Sequence, residues 1–224
     1  RRFRAASTVK IPIMVELFRQ VERGEQSLTK RYVLRDEDRA PGSGVLLHLH
    51  AGLELTFADL VYLMISISDN TATNVLIGLV GMENINRTMR DLGTSQSTLG
   101  RLMKGRPAIE NEQENWATPG DYASLMETIL TRRAAQPSSC DAMVAMLEKQ
   151  QCTNRISRYL PPGVRWGSKT GQIDRVTNDV GFVMTERGIL VISAFCEGLP
   201  DQHVGEEFIG DMTRAALAVT DGGR

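Results

Sequence analysis

The chain has 224 residues, 42% hydrophobic and 24% charged, an ordinary globular balance with room for one large domain or two interleaved lobes. Its 26 lysines and arginines nearly cancel 27 acids, so nothing suggests a nucleic-acid partner beyond the short arginine-rich start, and no apolar run approaches a membrane span. The chain opens without methionine, so the lack of a leader sequence says nothing of compartment.

Residues 6–22 read as a helix, with Val9, Ile13, Leu17 and Val21 on one apolar face. Pro12 suits only its first turns, because it lacks the N–H that would reach the Thr8 carbonyl. Ser7 and Lys10 stand one turn apart. A serine hydroxyl becomes a nucleophile when a neighbouring base takes its proton, and an amine can be that base if apolar surroundings lower its pKa. Alone, the spacing equally fits a helix-capping serine and a lysine reaching to water. Ser27-Leu28-Thr29-Lys30 repeats the spacing without opening an apolar run.

Residues 35–44 form a surface loop, followed by apolar Val45-Leu46-Leu47. His48 and His50 would share a face on a strand, but lack the neighbours a metal site needs. Thr56 opens an apolar helix that ends at Ser66–Asn70, and a second helix starts at once and runs to Gly81. Residues 82–91 give a short helix stopped by Gly93, and residues 94–117 are polar and irregular. Thr118-Pro119-Gly120-Asp121 is a strong helix start, and Ser138 or Ser139 begins another helix.

After Pro161-Pro162-Gly163 the period changes. Residues 164–170, 179–184 and 188–195 are predicted strands, with turns at 171–178 and 185–188, so the pairing is antiparallel. A closing helix is expected at 204–219, packed on one face of the three strands. The bare sheet edge leads us to expect further strands upstream of Arg1. Cys140, Cys152 and Cys196 show no paired spacing, and a Cys140–Cys152 bridge stays open. The fold class is α/β with segregated layers.

Three motifs stand in a fixed order: Ser7-Thr8-Val9-Lys10 at a helix start, Ser68-Asp69-Asn70 between two helices, and Lys169-Thr170-Gly171 at a strand end. Together they resemble the class A β-lactamases and penicillin-binding proteins. Residues 47–56, 68–74 and Thr177-Asn178-Asp179 extend the likeness from Arg2 to about Ala218. The resemblance implies a β-lactamase/transpeptidase-like fold, with a helical lobe over 7–160 and a sheet with its closing helix over 161–224, in one catalytic domain.

It further implies that Ser7 is acylated by a β-lactam or a peptidoglycan-like substrate. Lys10 and Ser68 would handle the protons, and Lys169 would keep positive potential behind Ser68. Asn70 and Thr170 would hold the substrate amide and carboxylate, and Asp69 would tie its loop together. The N–H groups of Ser7 and of Gln172, which follows Gly171, would form an oxyanion hole. No metal, cofactor or nucleic acid is implied, and the family location is periplasmic or secreted. Two departures stand out: the family's N-terminal helix and strands are missing, and residues 101–118 lack the Glu-x-x-Leu-Asn element of the lactamase branch. The acids there, Glu110, Glu112 and Glu114, alternate with Asn111, Gln113 and Asn115, so slow release of the acyl group is expected. A D-alanyl-D-alanine peptidase or esterase and a penicillin-sensing domain without turnover are the competing readings.

Overall fold

A computed structural model describes residues 1–221; residues 222–224, the end of the expected domain, lie outside the described residues. A two-residue strand β1 (Phe3–Arg4) leads into a tight 3-10 turn at Ala6–Val9 and then helix α1 (Lys10–Glu22). The sequence suggests one apolar face for this helix. Instead every residue from Lys10 to Phe18 is buried, because α1 runs through the middle of the helical lobe and is packed on all sides. Pro12 is its third residue, where no intrahelical N–H bond is needed.

Short strands β2 (Arg31–Val33) and β3 (Glu54–Thr56) pair antiparallel beside the lobe. Residues 46–48 between them form a single 3-10 turn. Helix α2 (Phe57–Ser66) begins with a reciprocal cap: Thr56 Oγ1 accepts from Asp59 N–H at 3.1 Å, and Asp59 accepts from Thr56 N–H at 2.9 Å. Helices α3 (Asn70–Val80) and α4 (Met82–Asp91) follow. Strand β4 (Trp116–Ala117) pairs with β1 and returns the long 94–115 segment to the site. Helix α5 (Pro119–Leu130) is capped by Thr118, as the sequence suggests. Helix α6 (Pro137–Leu147) starts one or two residues before the expected serine, because Pro137 takes the first helical position, where its missing N–H is harmless.

The sheet is antiparallel, in the order β5 (Trp166–Ile173), β6 (Val176–Thr185), β7 (Gly188–Glu197). The first hairpin corrects the sequence reading. Its strands run on to Ile173 and resume at Val176, leaving a two-residue turn, Asp174-Arg175, where the expected turn spans 171–178. Arg175 adopts a φ of 57°, as tight hairpin turns require. Helix α7 (Gln202–Asp221) packs across β6 and β7, enclosing a small core of Ile156, Val183, Ile192, Ala194 and Ile209. A larger core joins α1, α2, α3, α5 and α6 and reaches Val180, Phe182 and Phe195 of the sheet. The three cysteines are unbridged thiols. No helix among the described residues is long and apolar enough to cross a membrane.

Candidate active site

The turn bearing Ser7 is built by its neighbours' backbone groups. Ala5 N–H donates to Asn115 O at 2.7 Å, and Ala5 O accepts from both Thr8 N–H (3.2 Å) and Thr8 Oγ1 (2.7 Å). Between these anchors Ala6 has a φ of 48°, a left-handed conformation that a side chain disfavours and that persists only where its surroundings enforce it. Ser7 then lines a cleft of about 560 Å³.

Ser68-Asp69-Asn70 forms the link between α2 and α3. Asp69 is buried and ties the 45–46 segment to the first turn of α3: its carboxylate accepts from Val45 N–H (2.7 Å), Leu46 N–H (2.9 Å) and Ala72 N–H (2.9 Å). Ser68 has a φ of 61° and also lines the cleft.

Lys10 is wholly buried where these two motifs meet. Its Nζ lies 2.6 Å from Ser68 O, 3.0 Å from Ser68 Oγ and 2.8 Å from Asn70 Oδ1. Burial first, and then the charge of Lys169, hold its ammonium well below the usual lysine range, with Asp69 pulling the other way. All three contacts are donated by Nζ to oxygen acceptors, which fixes the amine on the Ser68 and Asn70 side of the cleft. Asn70 Nδ2 also donates to Pro41 O at 2.8 Å, which draws the 41–44 loop over the cleft. Gly42 of that loop and Gly105 opposite meet backbone to backbone, and a Cβ on Gly105 would lie 2.9 Å from Gly42 Cα.

Strand β5 forms the facing wall. Lys169 is completely buried, donates to Thr170 O at 2.8 Å and is pushed down to about 7 by burial, against the pull of Asp179. Thr170 and Gln172 line the cleft. Gly171 between them lets the strand approach the Ser7 turn, since a Cβ there would come within 2.9 Å of Ala5 O and 3.2 Å of Ser7 N. All eight residues singled out from the sequence (Ser7, Lys10, Ser68, Asn70, Lys169, Thr170, Gly171 and Gln172) thus lie in or directly beneath one cleft. The second Ser-x-x-Lys, at Ser27–Lys30, sits in an exposed turn among surface residues.

The 101–115 loop closes one side. Glu114 is bound to Arg101 (3.0 Å) and accepts from Ala108 and Asn115 N–H groups. Glu112 is bound to Lys104 (2.6 Å) and Arg106 (2.7 Å), and Arg106 foremost holds its carboxyl far below the ordinary range. Glu110 is exposed. None of the three lines the cleft; Gly105 does, and the cleft's carboxylate is the exposed Asp174. Asn74, one turn beyond Asn70, clamps buried Met103 by both backbone groups, at 3.0 and 2.8 Å.

Two residues escaped the sequence reading. Arg155 is the largest fully buried side chain among the described residues and lines the cleft; it donates to Gly171 O (3.2 Å) and Asn178 O (2.9 Å) and also reaches Gln172. Met103 is the loop residue that Asn74 of α3 holds by both backbone groups. Neither belongs to a motif or a periodic pattern, so no sequence signal pointed to them.

The model of the beta-lactamase enzyme family matches residues 1–220. A solved beta-lactamase from Sphaerobacter thermophilus is 62% identical, with a TM-score of 0.97 over 98% of this chain and 84% of that one. PBP-A is 27% identical, with a TM-score of 0.89 over 99% of this chain and 83% of that one; a mutant of it is solved as an acyl-enzyme complex with penicillin G. An ancestral (GNCA) class A beta-lactamase is 25% identical, with a TM-score of 0.89 over 98% of this chain and 86% of that one. The chain belongs to the beta-lactamase enzyme family, in its class A group, and is a serine β-lactamase-like hydrolase.

Proposed function

We propose that Ser7 is the nucleophile of a β-lactam-cleaving acyl-enzyme cycle with slow deacylation, run by residues 1–224 as one catalytic domain with lobes over 7–160 and 161–224. The observation that carries this reading is the Lys10 junction, where a buried amine of lowered pKa touches the Oγ of Ser68, which lines the same cleft as Ser7. In the acylation step Ser7 Oγ attacks the lactam carbonyl carbon and the C–N bond breaks. The hydroxyl proton passes to Lys10 and returns through Ser68 to the leaving nitrogen. The Ser7 and Gln172 N–H groups receive the developing oxyanion, while Thr170 and the positive potential of Lys169 and Arg155 receive the substrate carboxylate. Asn70's second N–H is available for the substrate amide.

Release of the acyl group needs a base beside the attacking water. Glu112 and Glu114 are engaged by basic side chains and Glu110 points to solvent, which supports slow release. The same loop, and the likeness to PBP-A, favour one second reading: a penicillin-binding domain, acting on a peptidoglycan-like substrate, that is acylated without useful turnover.

Intact-mass spectrometry over time after mixing with penicillin tests both. A stoichiometric adduct that forms quickly, maps to Ser7, is absent from Ser7→Ala and decays slowly is expected. An adduct that survives Ser7→Ala overturns the assignment. Rapid turnover with no accumulated adduct overturns slow release, and an adduct that never decays selects the second reading.

A further inference from the structure

Gly171 and Asn178 are cross-strand partners in the β5–β6 ladder. Because Gly171 carries no side chain, the Asn178 side chain beside it reaches the chain that enters the Ser7 turn. Its Nδ2 donates to Arg4 O at 2.9 Å and to Ala5 O at 3.2 Å. Asn178 is completely buried, and its Oδ1 has no hydrogen-bond partner. A buried amide with an orphaned acceptor is an unfavourable choice for plain packing, which apolar groups of similar shape serve better. Its use lies on the donor side.

The peptide it grips is the one that sets Ala6. Ala5 O is held from three directions, by Thr8 N–H, Thr8 Oγ1 and Asn178 Nδ2, and the next residue carries the left-handed φ of 48°. Two of the three donors come from the turn itself and move with it. Asn178 alone ties the turn to the sheet that carries Thr170 and Gln172 on the opposite wall. Asn178 O in turn accepts from Arg155, so the same residue joins the Ser7 turn to the cleft's arginine.

We propose that Asn178 is a positioning residue for acylation: by holding the Arg4 and Ala5 carbonyls it keeps Ala6 in its left-handed conformation, and so sets the Ser7 N–H and Oγ against β5. It does not touch substrate. The proposal rests on the reading of Ser7 as nucleophile, and the experiment separates the two.

Single-turnover acylation of the full chain by a chromogenic cephalosporin is measured for wild type, Asn178→Ala, Asn178→Ser, Ala6→Gly and Asn178→Ala with Ala6→Gly. Rates are normalised to the adduct-forming fraction found by mass. For Asn178→Ala the acylation rate constant is expected to fall about 10- to 100-fold, the loss that misplacement by an ångström brings, with substrate affinity and adduct decay unchanged. Glycine reaches a positive φ without strain, so in the Ala6→Gly background removal of Asn178 should lower the rate only severalfold. A merely structural asparagine would reduce the active fraction and leave the rate of the remaining molecules alone; that result overturns the proposal. A loss of equal size in both backgrounds also overturns it, since the effect then does not run through Ala6. If Asn178→Ala does not fold, Asn178→Ser, which keeps one short donor, is read by the same criteria. Absence of a Ser7 adduct in wild type would instead sink the nucleophile assignment.

Discussion

The floor of the cleft and the loop above it treat charge in opposite ways. Lys10 and Lys169 are fully buried, touch only hydroxyl and carbonyl oxygens, and have no carboxylate within ion-pair distance among the described residues. Glu112 and Glu114, a few residues apart on the loop, are each matched to arginine or lysine. An unmatched charge in a dry site gives up its proton balance and becomes available for chemistry, while a matched one becomes a fastener. The lysines are thus poised and the glutamates spent.

The sharpest way to break this contrast is Lys10→Met, which keeps the volume and removes the amine. Acylation should fall about 10³-fold, the worth of a positioned base, while resistance to urea rises because a buried amine with no carboxylate partner is gone. A drop in both would show that Lys10 is structural. Next in size, Glu114→Gln leaves Arg101, whose side chain is only 11% exposed, without its charged partner and should cost about 3 kcal/mol of stability, read as a lower urea midpoint at unchanged slope. A loss below about 0.5 kcal/mol, the range of exposed pairs, would show that the loop is not fastened there.

Met103→Glu turns the comparison around by putting an unspent carboxylate on the loop, held one turn from Asn70 by Asn74. Adduct decay should quicken about 10-fold or more, with some loss of stability from burying the acid. Unchanged decay would mean that position 103 does not reach the attacking water. A further effect is one of pH. Lys169 titrates near 7 when folded against an ordinary 10.5, so between those values the unfolded chain binds more protons and stability climbs with pH, by at most about 1.4 kcal/mol per unit from this group. Urea midpoints at pH 7, 8 and 9 check it; Lys169→Met should flatten the climb.

Much of this was legible in the sequence because the helices carry their own signals. Thr56 and Thr118 cap where expected, and the helix over 82–91 ends as Gly93 suggests. That the eight candidate residues gather at one cleft was legible for a different reason: three short motifs share an order that the family likeness links. The β5–β6 hairpin was misjudged because Gln172 and Thr177 have no apolar alternation; tertiary cover on both faces of β6 replaces the usual in-out pattern. Helix α1 was read as one-faced because Val9, Ile13, Leu17 and Val21 alone carried the reading. In the fold Glu16 is buried against Gln20, Arg23 and Thr88. Arg155 and Asn178 act through contacts 16 to 174 residues distant in sequence, which no local pattern records.

The meeting of Gly42 and Gly105 has a consequence for what the protein can admit. Two backbones in direct contact act as a closed clasp at one end of the cleft, and the smallest side chain on either would wedge them apart. The aperture is therefore set by a missing methyl group. A lineage under pressure from bulkier antibiotics could widen it with an alanine only by straining the positive φ of Gly42 (100°) or Gly105 (65°), and at the expense of the Asn70–Pro41 contact that steadies Asn70 beside Lys10. Breadth of substrate and speed on the small ones would then trade against each other through one pair of glycines.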